Sequence, residues 1–369
     1  MLVANFELCV IINNMEVYRF IHTADLHLDS ALSSINNGQK AKTRRMELTD
    51  CFKRMADFAV ANNVFGIIVA GDMFDVKNAS PSVKMQVTDI IKSAGNVNFY
   101  LLGGNHDDKA FDDDFINALP NNAVMLKNGV RYRSGKVVIA GFEGDVVDES
   151  QVPAFDENDF NVAVMHGQVV SGNGEGINIK KFAGKNIDYL ALGHIHKFEE
   201  GKIDRRGKWA YCGCPEGRGF DEIGEKGFVL FDTLGNIKFV PFCRRRLNEI
   251  KVDVSGLDSY ITQLDKIKKD LLSYSTDDAF KIILVGQVDP ALRIDVGAIS
   301  ARLDHVFYAK VVDKTTPKFD VKKLENEKSL RGEFFRVVNL LDVSEEHKQQ
   351  ILKLGFCALE GREVNDDQD

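Results

Sequence analysis

No apolar run in this sequence approaches the roughly 20 residues needed to cross a bilayer. The stretch 6–12 is apolar but short and carries Glu7. It has neither a basic flank nor a cleavage pattern, so it does not read as a signal peptide. A basic excess is also lacking. Lys and Arg number 47 against 55 Asp and Glu, for a formal net charge of −8. That argues against a protein that coats nucleic acid by bulk charge, but not against an enzyme whose metal ions supply local positive charge. The six cysteines lack zinc-knuckle spacing, and only Cys212 and Cys214 stand close together. Free thiols in a reducing cytoplasm follow as the expectation. The glycine-rich loop 171–176 lacks the strand–helix setting and the Lys-Ser or Lys-Thr ending of a phosphate cradle. No internal repeat or low-complexity tract is present, and no side chain reads as a nucleophile beside a base.

What is present is a series of short apolar runs with chemistry at their ends. With 369 residues, 44% hydrophobic and 28% charged, the chain has the composition of a globular protein with a main and a smaller domain. The run 17–21 leads into Asp25 and His27. Extended backbone would put residues two apart on one side, so this carboxylate and imidazole would point together. An Asp after a strand also serves as a turn former or helix N-cap. Residues 39–62 carry a helical stripe through Met46, Cys51, Phe52, Met55, Phe58 and Ala59. Lys40, Lys42, Arg44 and Arg45 at its start form a basic, solvated end or a phosphate contact. The run 65–70 ends in Gly71-Asp72 and Asp75. A helix over 80–93 opens with Ser80-Pro81, and the strand 97–102 runs into Gly104-Asn105-His106-Asp107. A hairpin pairs 130–133 with 137–140. Residues 161–165 lead to His166, and 187–192 deliver Gly193-His194-Ile195-His196.

Five of the eight histidines thus sit at strand ends, where sheet-based folds collect their ligands. Asp25, His27, Asp72, Asn105, His166, His194 and His196 suffice for two metal ions, with Asp72 as the natural bridge. Mixed nitrogen and oxygen donors suit manganese or iron, with zinc as an alternative. Two ions about 4 Å apart can hold a hydroxide and both ends of a phosphoryl displacement. By contrast, His22 lies on a strand and reads as a core histidine, while His305 and His347 read as structural or exposed.

These blocks together, in order and with normal spacing over 17–196, resemble the calcineurin-like metallophosphoesterases. More narrowly, His22-Thr-Ala-Asp25-Leu-His27-Leu-Asp29 and Leu192-Gly-His-Ile-His-Lys197 resemble the SbcD-like DNA repair exonucleases. So does Tyr211-Cys-Gly-Cys-Pro-Glu-Gly217 with Gly227-Phe228, where that branch usually has Gly-Ser-Pro. The resemblance implies an α/β fold, a four-layer sandwich of two β-sheets flanked by helices. It assigns one metal to Asp25, His27, Asp72 and His196, and the other to Asp72, Asn105, His166 and His194. His106 would be a general acid for the leaving oxygen, oriented by Asp75. It further implies manganese, a homodimer, DNA as substrate and an SMC-like ATPase partner of the SbcC type. A phosphatase or cyclic-nucleotide phosphodiesterase of the same fold is the alternative. Protein phosphatases of the family have Arg-Gly where Val76-Lys77 stand here. A scaffold without catalysis would have eroded ligands, and none is missing.

The expected organisation is an N-terminal extension over 1–14, with Met15 as an alternative start, and a catalytic domain over 15–243. A small α+β domain follows over 244–320, beginning with Arg244-Arg245-Arg246, and then a helical tail over 321–369 as a candidate partner-binding segment. Leu330, Phe334, Val337, Val338 and Leu341 form the expected stripe of that tail, broadened by Phe335 and Leu340. A second tail helix is expected to start at Ser344. Lys180-Lys181, Arg205-Arg206 and the Arg244–Arg246 run are candidates for phosphate contact or solvated charge.

Overall fold

The computed structural model describes residues 16–359, apart from 33–34, 76–78, 108–109, 145–149, 151, 173, 290–291, 293 and 319–320. The leading segment 1–14, the Met15 start, Val76-Lys77 and the residues beyond 359 lie outside the described residues. The chain divides into two units, 1–246 and 247–369.

The first unit runs β1 (Arg19–Thr23), α1 (Gly38–Ala61), β2 (Gly66–Ala70), α2 (Pro81–Ser93), β3 (Asn98–Leu102), α3 (Asp113–Ala118) and β4 (Ala123–Met125). It continues through β5 (Arg131–Ser134), β6 (Val137–Phe142), β7 (Phe160–His166), β8 (Tyr189–Gly193), β9 (Glu199–Lys202), β10 (Lys208–Tyr211), β11 (Gly227–Asp232) and β12 (Ile237–Pro241). One sheet has the order β12-β11-β1-β2-β3-β4, and the other β5-β6-β7-β8-β10-β9. The central pairings of both sheets are parallel, and the outer ones on β11, β12, β5 and β9 are antiparallel.

The alternation along β2 explains why its whole run is apolar. Ile67 and Val69 pack with Phe52, Met55, Val87 and Ile91 from α1 and α2. Ile68 and Ala70 face the other way, onto Val162, Val164 and Ala191 of the second sheet. A strand covered on both faces has no polar side to offer. Each such side chain contributes about 1.5–3 kcal/mol of burial. The outer face of the second sheet is covered by Val152, Phe155, Ile177 and the short 3₁₀ turn Ile179–Phe182. Helix starts follow local rules. Asn37 caps α1 by accepting from the Lys40 N–H, and Pro81 takes the first turn of α2.

The basic groups of the first unit are mostly paired. Arg44 is neither a solvated helix end nor free for phosphate. It is 1% exposed and donates to Glu47, Glu216 and the Gly217 carbonyl. Arg245 is buried against Glu47, and Arg246 pairs with Glu225. Arg206 forks onto Asp188, and the side chains of Arg205, Lys180 and Lys181 are exposed.

The second unit holds β13 (Leu247–Asp253), α4 (Tyr260–Leu271), β14 (Ala279–Val285), β15 (Gln287–Val288), α5 (Val296–Ala301), β16 (Tyr308–Asp313) and β17 (Thr316–Pro317). Its three-stranded parallel sheet has the order β13-β14-β16, so each βαβ crossover joins neighbours. Val252, Phe280, Ile282, Leu284 and Val311 pack against Ile267 and Ile299 from the helices. Three helices complete the unit: α6 (Val321–Asn326), α7 (Leu330–Asn339) and α8 (Glu345–Leu359). Their small core is Leu324, Phe335, Val338, Leu352 and Phe356. The expected stripe of α7 therefore divides, and Phe334 packs against this core. Phe335 and Val338 turn inward, while Leu330, Val337, Leu340 and Leu341 are exposed.

Candidate metal centre

The first two motif loops pair with each other through their backbones. The N–H groups of Asp25, His27 and Leu28 donate to the carbonyls of Gly71, Asp72 and Met73, at 3.1, 3.0 and 2.9 Å. This overturns the extended geometry expected for Asp25 and His27. Both adopt left-handed backbone, at φ 53° and 45°, as do Asp72 at 52° and His194 at 99°. Left-handed backbone is uncommon for residues other than glycine, and such strain collects at functional sites. Two glycines make the approach feasible. A Cβ on Gly104 would sit 2.1 Å from Asp72 Oδ1, and one on Gly193 would sit 1.9 Å from the Ala70 carbonyl.

The candidate donors converge at this end of the two sheets. Asp72 Oδ2 lies 3.3 Å from His166 Nε2 and 3.8 Å from His27 Nε2, so one oxygen stands between two imidazoles. Asp25 Oδ1 is 3.7 Å from His196 Nε2. Asn105 Oδ1 is 3.1 Å from His166 Nε2. Donor atoms of Asp25, His27 and His196 all lie within 4.8 Å of one another, and so do those of Asp25, Asp72 and His166. His194 gives its backbone N–H to both oxygens of Asp25, and its ring meets that of His166 edge-on at 5.5 Å.

The ring tautomers test whether metal ions fit here. His166 Nδ1 is 2.9 Å from the Ala70 carbonyl, and His196 Nδ1 is 2.7 Å from Glu222 Oε1. His27 Nδ1 is 3.1 Å from Asp75 Oδ1, off the ideal hydrogen-bond line. Each Nδ1 thus faces an acceptor, which favours the tautomer protonated there and gives each Nε2 a lone pair when the ring is neutral. Those lone pairs face other acceptors: Asn105 Oδ1 and Asp72 Oδ2 at His166, and one another, 3.2 Å apart, at His27 and His196. Acceptor facing acceptor is unfavourable unless a positive charge lies between. Carboxylates and carbonyls behind the far ring nitrogen are the usual support of metal-binding histidines. The donor set fits divalent cations.

The electrostatics agree. Burial pushes Asp25 up to about 6. Burial also opposes the charge on His166, yet Asp72 and Asp25 outweigh it and carry that histidine up to about 9. Asp72 is held below the ordinary range, because the His166 contact outweighs its burial.

Asp75 and His106 are placed differently from the expectation. Asp75 Oδ1 is 4.0 Å from His106 Nδ1, beyond hydrogen-bond reach. Its partner among the histidines is His27, which does most to hold Asp75 down at about 2. The His106 side chain is 47% exposed at the rim of the site, and its backbone N–H donates to Asp72 Oδ1 at 3.0 Å. Donor atoms of His27, Asp75 and His106 also lie within 4.8 Å of one another. His22 is buried against the Tyr189 hydroxyl, and burial pushes it down to about 3, as suits a neutral core histidine.

Two residues of the site escaped the sequence reading. Asp107 closes its own motif, where it had no assigned role. Its carboxylate accepts from the N–H groups of Met73, Phe74 and Gly104, at 3.1, 2.8 and 3.0 Å, and so locks the Asp72 loop to the Asn105 loop. Glu222 lies 26 residues beyond His196, in no recognisable pattern. Beside the centre, a groove of about 710 Å³ runs from Asn105 and His166 past Phe111, Met125 and Lys127.

Residues 18–198 match the calcineurin-like phosphoesterase family. An uncharacterised metallophosphoesterase of Bacillus subtilis is 27% identical over 245 residues, covering 60% of this chain and 59% of that protein. The DNA double-strand break repair protein Mre11 of Sulfurisphaera tokodaii is 24% identical over 310 residues, covering 75% of this chain and 76% of the relative. A dimetal phosphatase structure from Danio rerio superposes with a TM-score of 0.40 at 11% identity, over 58% of this chain and 91% of that one.

Proposed function

Because residues 18–198 belong to the calcineurin-like phosphoesterase family, we propose that this protein is a two-metal phosphodiesterase that cuts DNA as the nuclease subunit of an SbcCD-like repair complex. The observation that carries the reading is the convergence of His166 and His27 Nε2 on one oxygen of Asp72, with His27 and His196 Nε2 3.2 Å apart. In this reading Asp25, His27 and His196 hold one ion, Asn105, His166 and His194 hold the other, and Asp72 touches both. Manganese suits the mixed donors, with iron or zinc as alternatives. When bound, the ions supply positive charge to the phosphoryl oxygens and make water a competent nucleophile at neutral pH. The protein's own part is to place the phosphodiester and to deliver a proton. His106, at the open rim, gives that proton to the leaving oxygen. The adjoining groove has the size of a small-ligand pocket and leaves room for more than a bare phosphate.

DNA as the substrate is supported by the double-strand break repair relatives, although the match spans only 59% of the Bacillus protein and 37% of a Methanosarcina acetivorans Mre11. The test is degradation of linear double-stranded DNA with manganese, run beside a chromogenic phosphomonoester. DNA loss that stops with a chelator is expected. Turnover of the monoester alone would move the protein to the phosphatases.

The exposed apolar residues of α7 and the turn after it suit a helical partner, which in this reading is the coiled-coil ATPase. Leu340 is 86% exposed and Val337 is 51% exposed. Leu340→Glu should leave the fold and manganese-dependent hydrolysis of a small phosphodiester unchanged and weaken ATPase binding by at least about tenfold, since a charge placed in an apolar contact costs more than 1.4 kcal/mol. Equal ATPase binding by the two proteins would remove this surface as the contact.

A further inference from the structure

Two carboxylates stand behind the His27–His196 side of the centre, and a single guanidinium joins them. Asp75 Oδ1 lies 3.1 Å from His27 Nδ1, and Glu222 Oε1 lies 2.7 Å from His196 Nδ1. Arg218 Nη1 donates to Asp75 Oδ1 at 3.0 Å. Its Nε and Nη2 donate to Glu222 Oε1 at 3.2 and 2.9 Å, and its backbone N–H donates to Glu222 Oε2 at 2.7 Å. The Cys214 thiol is 3.7 Å from that same Oε2, within reach of a sulfur hydrogen bond. Every link in the chain His27–Asp75–Arg218–Glu222–His196 is thus a direct contact. It closes a loop through segments 143 residues apart in sequence.

We propose that Arg218 is a positioning residue that fixes the separation of His27 and His196, and thereby sets the affinity of one of the two metal positions. The proposal rests on reading the centre as a metal site. Its physical basis is the planar fork of arginine, which donates in two directions from one rigid group. Lysine has a single ammonium on a flexible stem and cannot hold both carboxylates in the same fixed geometry. The effect is one-sided. On the other side, His166 is anchored by the Ala70 carbonyl, and Asn105 is carried by the loop that Asp107 ties down. Arg218 makes no ligand contact of its own in this scheme. It acts through the carboxylates that orient two ligands, a kind of support whose loss typically costs about 10–100-fold in metal affinity.

The experiment titrates full-length, metal-stripped protein with Mn²⁺, followed by calorimetry and by the electron paramagnetic resonance signal of the free ion. Wild type, Arg218→Met, Arg218→Lys and Glu222→Gln are compared, with far-ultraviolet circular dichroism as the check on folding. Wild type is expected to bind two ions. Arg218→Met should weaken one of them about 10–100-fold and leave the other unchanged, and Arg218→Lys should fall between. Glu222→Gln removes the charge that Arg218 grips and should reproduce the one-sided loss. If Arg218→Met does not fold, the other two variants carry the test. General damage to the fold would weaken both ions together, so equal weakening overturns the proposal, as do unchanged affinities. Failure of the wild type to bind Mn²⁺ would instead overturn the metal reading beneath it.

Discussion

Replacing Asp72 by alanine is expected to strip the centre of both metal ions. Its Oδ2 stands 3.3 Å from His166 Nε2 and 3.8 Å from His27 Nε2, which belong to the two halves of the donor set. Its Oδ1 also holds the His106 backbone N–H. Asp25 also reaches donors of both halves, within 4.8 Å of His27 and His196 and of His166, so what marks Asp72 is one oxygen within 3.8 Å of a ring nitrogen from each. Loss of a supporting group typically costs about 10–100-fold in metal affinity, so loss of a shared ligand should exceed about 100-fold at each position. Hydrolysis falls with it. The fold should survive, because alanine in left-handed backbone costs only about 1–2 kcal/mol, within a typical stability of about 5–15 kcal/mol. Elemental analysis after gel filtration reads the outcome beside His196→Ala, which should lose mainly one ion. Equal metal content in the two variants would show that Asp72 is not shared.

His106→Ala is expected to do the opposite, keeping both metal ions while turnover collapses. General acids contribute about 10²–10⁴-fold, and a loss in that range should appear in kcat. The position of the side chain motivates this. It sits half-exposed at the rim, 5.1 Å ring to ring from His27, and is linked to Asp72 through its backbone. Its nearness to His27 and Asp75 gives the experiment its edge, because the same three side chains could hold an ion. Metal lost from the alanine variant would make His106 a ligand. Metal retained with turnover unchanged would leave it without a chemical role. A leaving group of low pKa needs little protonation, so an activated aryl phosphodiester should be affected least.

The sheets were legible because their strands are buried on two faces. A run such as 66–70 has no polar side, and its end has to turn where the site begins. The histidines and carboxylates were legible for the same reason, being the polar residues that close apolar runs. The route by which Asp25 and His27 converge was not. Left-handed backbone at both is imposed by pairing with the 71–73 segment, a contact between distant parts of the chain. Glu222 was hidden because its partner is set by the fold alone. Strand β9 went unseen because Glu199–Lys202 is polar and mostly exposed, an edge that pairs only with β10. Arg44 was misread because helical position tells which face a side chain lies on, not whether a glutamate from residue 216 waits there. The α7 stripe divides for a related reason: more apolar residues lie on and just after that helix than its small core takes in.

The strand order has a consequence for synthesis on the ribosome. Strand β1 pairs with β2 on one side and with β11 on the other, and the whole second sheet is encoded between β1 and β11. At about 5–20 residues per second, the roughly 200 residues from β1 to β11 take about 10–40 s to emerge. Throughout that interval the partner strand for one edge of β1 has not been made, and an unpaired edge is a template for other strands. The first ligand-bearing strand made is therefore among the last to be enclosed.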